Sequence, residues 1–441
     1  MLGVGSGDAG NGERMGDITT GRTSADVFEA KNLLGGIGLV RDPHPRLREL
    51  RDECPVHAGS VSGLFGVVGP DNYLTPDASQ ISVFTYDEVD RGFRDAARFS
   101  NSYYVPYVQA VIGRTILEMD PPEHQRYRSL LQGAFTKHEM VRWEEGFVRA
   151  IVDAQLDTLA PLGRGDLAAD FAFHYPITVI AVATGLPVEH IDAFYAQAAK
   201  LTNVAIDQAE RFEASAELAA MAQAVIDERR REPKDDLVSI LVHAEITAPD
   251  GTLERLTDDE IVAFVRLLVP AGAQTTYRTL TNLLFALLSH PEQYEMVCQD
   301  RTLIPRAIEE GLRWEAPLLS FGRRATVDTV VAGHPVAAGT TVNLCVHSAN
   351  RDPSRWDDPD RFDIQRRPKG HVSFGQGNHI CLGVHFARME LRVALELIID
   401  RLPGLRLDPD ADDIHIGGLA SRTALHLPCV WDTATNGRNT P

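Results

Sequence analysis

Cys381 is the residue in this chain best placed to do chemistry. It lies in Phe374-Gly375-Gln376-Gly377-Asn378-His379-Ile380-Cys381-Leu382-Gly383, a glycine-rich loop that runs directly into VHFARMELRVALELIIDRL. In that segment Ala387, Leu391, Ala394 and Ile398 recur at intervals of four, three and four. The spacing predicts a helix with one buried face and puts Cys381 at its N-terminus. There the helix dipole and free backbone N–H groups favour a thiolate over a thiol. A thiolate held by loop amides suits a soft transition-metal centre, haem iron included. A lone cysteine is more often an ordinary buried side chain, but the glycines, the histidine and the helical pattern reverse that expectation here.

Those groups must be positioned by long helices. Met140 to Leu159, Val188 to Leu201, Arg211 to Arg231 and Asp235 to His243 repeat apolar residues at helical spacing. The longest run starts at a capping box, Thr257 with Glu260, and continues to Leu288 before Ser289-His290-Pro291. At its centre, Pro270-Ala271-Gly272-Ala273-Gln274-Thr275-Thr276 combines a proline, a glycine and two hydroxyls, which should kink or open the helix locally. Strand signals are few: Gln80 to Thr85, Gly322 to Val331 into Thr340 to Leu344, and Thr423 to Trp431. The fold class expected is mainly α with small β elements. Seven glycines within residues 1–21 cannot offset their ordering entropy by burial, so 1–25 reads as a flexible tail and 26–441 as a single folded unit.

Composition narrows the function. The chain has 441 residues with 43 Lys+Arg against 62 Asp+Glu, a net charge of −19. That charge argues against nucleic acid or an anionic membrane as the main partner. The five cysteines, Cys54, Cys298, Cys345, Cys381 and Cys429, form no CxxC, so a disulfide framework or zinc ribbon is not implied and a reducing compartment is. With no basic segment leading into an apolar stretch at the N-terminus and no membrane-length apolar run, the expected location is the cytoplasm, and the expected state a monomer.

The cysteine segment resembles the Phe-Gly-x-Gly-x-His-x-Cys-x-Gly loop of the cytochrome P450 family, and every fixed position matches. The resemblance implies the P450 fold: an α-rich domain with a long central helix and a small β-rich subdomain. It implies that Cys381 is the proximal ligand of haem b and that Phe374, Gly375, His379 and Gly383 surround the cofactor. Glu310 and Arg313 of AIEEGLRWEAP share a helical face and can pair; by resemblance they join Arg361 in a buried structural triad. Asp120-Pro121-Pro122-Glu123-His124-Gln125-Arg126-Tyr127-Arg128 matches a family segment that would bring His124 and Arg128 to the haem propionates, with His379 and Arg323; Arg324 could exchange roles with Arg323. Ala271 and Gly272 match the family's Ala-Gly-x-(Asp/Glu)-Thr-Thr oxygen-binding segment, which places Thr275 on the distal side. Gln274 replaces the usual acid there, and an amide can orient water but has no accessible pKa.

The activity implied is a haem-thiolate monooxygenase with O2 as co-substrate. By the same resemblance, substrate contacts are expected from Tyr103, Tyr104, Val105, Leu268, Ala271, Leu318 and Leu319, with a contribution from the Leu419-Ala420 turn, although the two tyrosines equally suit packing roles. They point to a lipophilic or aromatic small molecule. No flavin, nicotinamide or ferredoxin fingerprint occurs, so electrons would come from a ferredoxin or flavodoxin with an NAD(P)H-dependent reductase. Between Arg361 and Arg392, six basic residues (Arg361, Arg366, Arg367, Lys369, Arg388, Arg392) face two acids (Asp363, Glu390), a local excess that could steer an acidic partner. The alternatives are a peroxide-driven peroxygenase, made tenable by Gln274, and a non-catalytic haem sensor or carrier.

Overall fold

Thr257 starts the helix on which the interior is organised. Its hydroxyl accepts the Glu260 N–H while the Glu260 carboxylate accepts the Thr257 N–H at 2.7 Å, the reciprocal pair expected of a capping box. Helix Asp258–Leu268 follows, then a π turn over Val269–Ala273, then helix Gln274–Leu288. Pro270 has no N–H to give, and the chain meets the lost bond by widening one turn. Beyond that turn Thr276 to Leu284 and Ala286 to Leu288 are buried, as expected of a helix enclosed on all sides.

This computed structural model describes residues 40–67, 79–187, 190–201, 208–248, 250–367 and 369–433; the glycine-rich stretch 1–25 lies outside them. Helices Ile191–Leu201, Gln208–Arg231 and Leu237–His243 fall where the periodicity predicts. The single helix expected over Met140 to Leu159 is Lys137–Trp143 joined to Arg149–Leu159 through a second π turn, Glu144–Val148. The strand expected over Thr423 to Trp431 is two. Thr423–Ala424 pairs with Ile416–Gly417, whereas Pro428–Val430 pairs with Arg406–Leu407 and Arg164–Asp166. Between them Asp166 takes the Leu427 N–H at 2.8 Å and the His426 ring at 2.7 Å, which redirects the chain. The largest sheet orders Val56–Ala58, Gln80–Val83, Thr341–Cys345, Ser320–Ala325 and Phe99–Ser100. No helix among the described residues is long and apolar enough to cross a membrane.

Helix Ile304–Trp314 carries Glu310 and Arg313, whose side chains pair through two 2.7 Å bonds, both buried. Arg313 also donates to the carbonyls of Asn350, Pro359 and Arg361. The third member of this network is Arg366, whose Nε donates to Glu310 at 3.2 Å. The expected role of Arg361 is thus corrected. Its guanidinium is 63% exposed and pairs with Asp363, because a turn closed by its own N–H to the Asp358 carbonyl gives the inward position to Phe362. Arg361 contributes a carbonyl, and Arg366 the charge.

The next residue along, Glu315, anchors a second buried cluster. Its carboxylate meets Arg422, His44 at 2.9 Å, Arg351 at 3.4 Å and His347 at 3.5 Å, tying helix His44–Glu53 to the interior. Burial, partly opposed by Glu315, pushes the His347 imidazole down to about 3 from 6.5, so it is neutral in the fold.

Removing Arg366 by Arg366→Ala should cost about 2 kcal/mol in urea unfolding, since Glu310 keeps only one guanidinium, while Arg361→Ala should stay within about 0.5 kcal/mol. Equal losses would restore Arg361 to the triad. Above pH 6.5 His347 is neutral whether folded or unfolded; below it the unfolded chain gains a proton that the fold refuses, so stability falls as pH drops. His347→Asn should flatten the slope of stability between about pH 6 and about pH 4 by about one proton; an unchanged slope would mean His347 is already charged in the fold.

Candidate active site

The cysteine loop is shaped by two left-handed glycines, Gly375 at φ 66° and Gly377 at φ 69°. At Gly377 sterics add a second demand: a Cβ would lie 2.9 Å from both the Phe93 carbonyl and the Arg94 Cα of helix Tyr86–Arg94. The loop closes on itself through the Cys381 N–H to the Phe374 carbonyl at 2.9 Å, and the Gly375 N–H to the Val372 carbonyl at 2.9 Å. Helix Val384–Arg401 begins three residues after Cys381, with Gly383 as its cap. Burial holds the Cys381 thiol above its ordinary range, opposed by a hydrogen bond from the Gly383 amide and by the charges of Arg128 and Arg388. Desolvation is the largest of these influences, and the Gly383 amide acts toward the thiolate, the direction expected from sequence. Ligation by a metal cation is what would make the thiolate here.

Above the loop, four basic side chains gather without a matching set of acids. His124 and His379 lie with ring centroids 3.9 Å apart. Both nitrogens of His124 and Nε2 of His379 are buried with no hydrogen-bond partner. Burial followed by neighbouring charge lowers His124 to about 4, and burial with His124, Arg323 and Arg128 lowers His379 to about 2. Arg128 donates to the carbonyls of Ile380 at 2.8 Å and Asn378 at 3.3 Å. In strand Ser320–Ala325 the period-two alternation turns Arg323 inward, 4% exposed, and Arg324 outward; the inward residue is Arg323. It donates to the Gly322 carbonyl, bonds the Tyr104 hydroxyl and lies over the Phe93 ring.

On the central helix, Ala271 is exposed and Leu268, Gly272 and Thr275 are half-buried, although the helix runs through the core. Surface left open there marks an internal opening. The Thr275 hydroxyl donates to the Ala271 carbonyl at 2.7 Å, leaving its lone pairs free to accept. Gly272 serves packing instead of openness: a Cβ would lie 2.7 Å from Ile180 Cδ1, so the glycine admits helix Tyr175–Ala183.

The expected substrate residues divide. Val105, Leu268, Leu318 and Ala420 keep part of their surface open. Leu319 and Leu419 do not. They are 2% and 3% exposed and pack with Leu47, Leu50, Val61, Phe84 and Cys345 in a satellite core. Tyr103 and Tyr104 are also buried, the first against Gly322, where a Cβ would lie 2.3 Å from the ring, the second on Arg323. Packing is their role in this structure.

The basic patch is corrected as well. Arg388 forms a two-bond pair with Glu309 at 2.7 and 2.8 Å, Arg392 pairs with Glu144 and Glu396, Arg366 with Glu310 and Arg361 with Asp363. Four of these carboxylates lie outside the 361–392 segment, so a linear count of charge misses them. Glu309 was not singled out in the sequence, its only local signal being that it adjoins Glu310, and Arg366 and the buried Glu390, whose Oε2 meets the Thr276 hydroxyl at 3.4 Å, entered there only as charges of the basic stretch.

Haem b fits these residues. Its two carboxylates answer His124 and His379, whose buried nitrogens lack acceptors, and the charges of Arg128 and Arg323, which meet carbonyls and a phenol but no carboxylate among the described residues; its flat apolar body suits the open Ala271 and half-buried Phe374 and Leu382, and Cys381 supplies a soft donor. Arg323→Leu should speed transfer of haem from the purified protein to apomyoglobin by about tenfold, the order expected for one charge-assisted bond; an unchanged rate would exclude Arg323 from the carboxylates.

Known proteins similar to this chain share one family description. The cytochrome P450 family model matches residues 198–403. Cytochrome P450 monooxygenase PikC of Streptomyces venezuelae is 35% identical over 390 residues, covering 85% of this chain and 88% of that protein. The steroid C26-monooxygenase of Mycobacterium tuberculosis is 35% identical over 332 residues, 74% of this chain and 87% of its own length. Among solved structures, cytochrome P450 CYP109Q5 of Chondromyces apiculatus superposes with a TM-score of 0.79 at 30% identity, covering 91% of this chain and 98% of that one. The chain belongs to the cytochrome P450 family and is a monooxygenase that uses haem b and O2.

Proposed function

We propose that this enzyme inserts one atom of O2 into a lipophilic small molecule, by hydroxylation and, on suitable substrates, epoxidation or dealkylation. The observation that carries this reading is the open, mostly apolar surface at Leu268, Ala271 and Thr275, on the turns just before the buried stretch Thr276 to Leu284 of the central helix. Relatives give it a chemical setting: a steroid C26-monooxygenase and a mycinamicin IV hydroxylase/epoxidase, 35% and 37% identical, are named for large lipophilic substrates, and CYP109E1 of Bacillus megaterium is known in complex with testosterone.

In this reading Cys381 is the haem ligand, and bound haem supplies iron-centred activation of O2. His124, Arg128, Arg323 and His379 hold its carboxylates. Thr275, with its proton on the Ala271 carbonyl and lone pairs toward the opening, accepts a hydrogen bond from water and keeps that water ordered beside the reacting atoms. Gln274 orients water and cannot itself donate an acidic proton. Apolar walls exclude bulk water from the oxidised carbon. Electrons arrive from a ferredoxin or flavodoxin reduced by an NAD(P)H-dependent reductase. Because Arg361, Arg366, Arg388 and Arg392 are already paired with carboxylates, shape and hydrogen bonding carry more of that docking than bare positive charge.

The test is coupled turnover of lipophilic substrates with ferredoxin, its reductase and NADH. Thr275→Ala should keep NADH consumption and raise the share lost to H2O2 by about tenfold; unchanged coupling would remove Thr275 from the mechanism. Product formed with H2O2 and never with ferredoxin would replace this reading by the peroxygenase one.

A further inference from the structure

Arg278 is used by nothing described so far. It is 3% exposed on the buried half of the central helix, yet no carboxylate among the described residues pairs with it and its Nη1 is enclosed without a partner. The Tyr277 ring, 5.1 Å from the guanidinium carbon, offers only a quadrupole. Four other deeply buried arginines contrast with it: Arg229 pairs with Asp236, Arg313 with Glu310, and Arg351 and Arg422 with Glu315, while Arg323 belongs to the haem carboxylates and Arg51 is held by the Ser348 carbonyl and hydroxyl. A buried cation without a counter-charge is strongly unfavourable, so one that persists calls for an anion.

Its position says where that anion comes from. Ala271, Thr275, Arg278 and Asn282 follow at intervals of four, three and four and share one helix face. At one end of this face lie Ala271 and Thr275, at the internal opening. The other end is closed by Asn282, bonded to the carbonyls of Arg422 and Glu315. Long helical side chains lean toward the N-terminus of their helix, so the Arg278 side chain leaves its own turn on the Thr275 side, with its guanidinium carbon over the Tyr277 ring.

We propose that Arg278 anchors a carboxylate of the substrate, so that the lipophilic molecule oxidised here is an acid. A planar guanidinium matches a carboxylate through two parallel bonds, and a single free cation suits one negative charge better than a phosphate dianion. The anchor fixes the end of the substrate that is not oxidised and leaves apolar carbon beside Thr275. This inference rests on the monooxygenase reading above and narrows its substrate class.

The test uses the haem-loaded enzyme and a homologous series of imidazolyl-alkanoic acids with their methyl esters, read by the Soret shift when the azole ligates iron. At one chain length the acid should bind about tenfold or more tightly than its ester. The preference should vanish in Arg278→Gln and persist in part in Arg278→Lys. It is overturned if no length prefers the acid, if the preference survives Arg278→Gln, or if that variant folds but loses haem, which would assign Arg278 to the cofactor. The comparison of acid with ester in the unaltered enzyme needs no variant. Failure of every azole to ligate would instead refute the haem site itself.

Discussion

Burial opposes charge at Cys381, and the structure around it answers that opposition. The sulfur is drawn away from water, which raises its pKa, while the Gly383 amide, Arg128 and Arg388 pull the other way. Each of those three is itself fixed by something else. Gly383 caps the helix after the loop. Arg128 is held by two loop carbonyls, and Arg388 is clamped by Glu309, on the helix that also carries the Glu310 and Arg313 pair. The loop can supply those carbonyls only because Gly377 lets it approach Phe93 and Arg94. A metal cation tips the balance toward thiolate, so the fold and the cofactor are coupled through one ionisation.

The same electrostatics separates arginines that hold the protein together from those that hold something else. Arg313, Arg366 and Arg422 meet carboxylates in the fold. Arg128 and Arg323 are lowered by burial and meet only carbonyls and a phenol, and beside them stand two histidines kept neutral with idle nitrogens. Unmatched polar groups concentrated in one place are costly to maintain, and their clustering around one loop distinguishes a cofactor cradle from a structural network.

Much of this was legible in the sequence where the chemistry is local. The cysteine loop, the Thr257 capping box and the opened turn at Pro270 each depend on residues within a few positions of one another, and each is where the pattern puts it. What was not legible depends on partners far away in the chain. Arg361 and Arg366 are five residues apart, and only the turn at Asp358 decides which faces Glu310. Arg388 and Arg392 read as free charge until Glu309, Glu144 and Glu396 arrive from other helices. Leu319 and Leu419 are apolar and near the site in sequence, yet they pack into a different core with residues of the first helix and the large sheet. Gly272 follows the family pattern, but the pressure on it comes from Ile180. Residue type survives translation from sequence to structure better than residue direction does.

The most direct measurement is the absorption difference spectrum of the dithionite-reduced protein with and without carbon monoxide. A thiolate from Cys381 predicts a strongly red-shifted Soret band that disappears in Cys381→Ser while the protein stays folded. A red-shifted band that survives Cys381→Ser, or folded protein that binds no haem, would contradict the account.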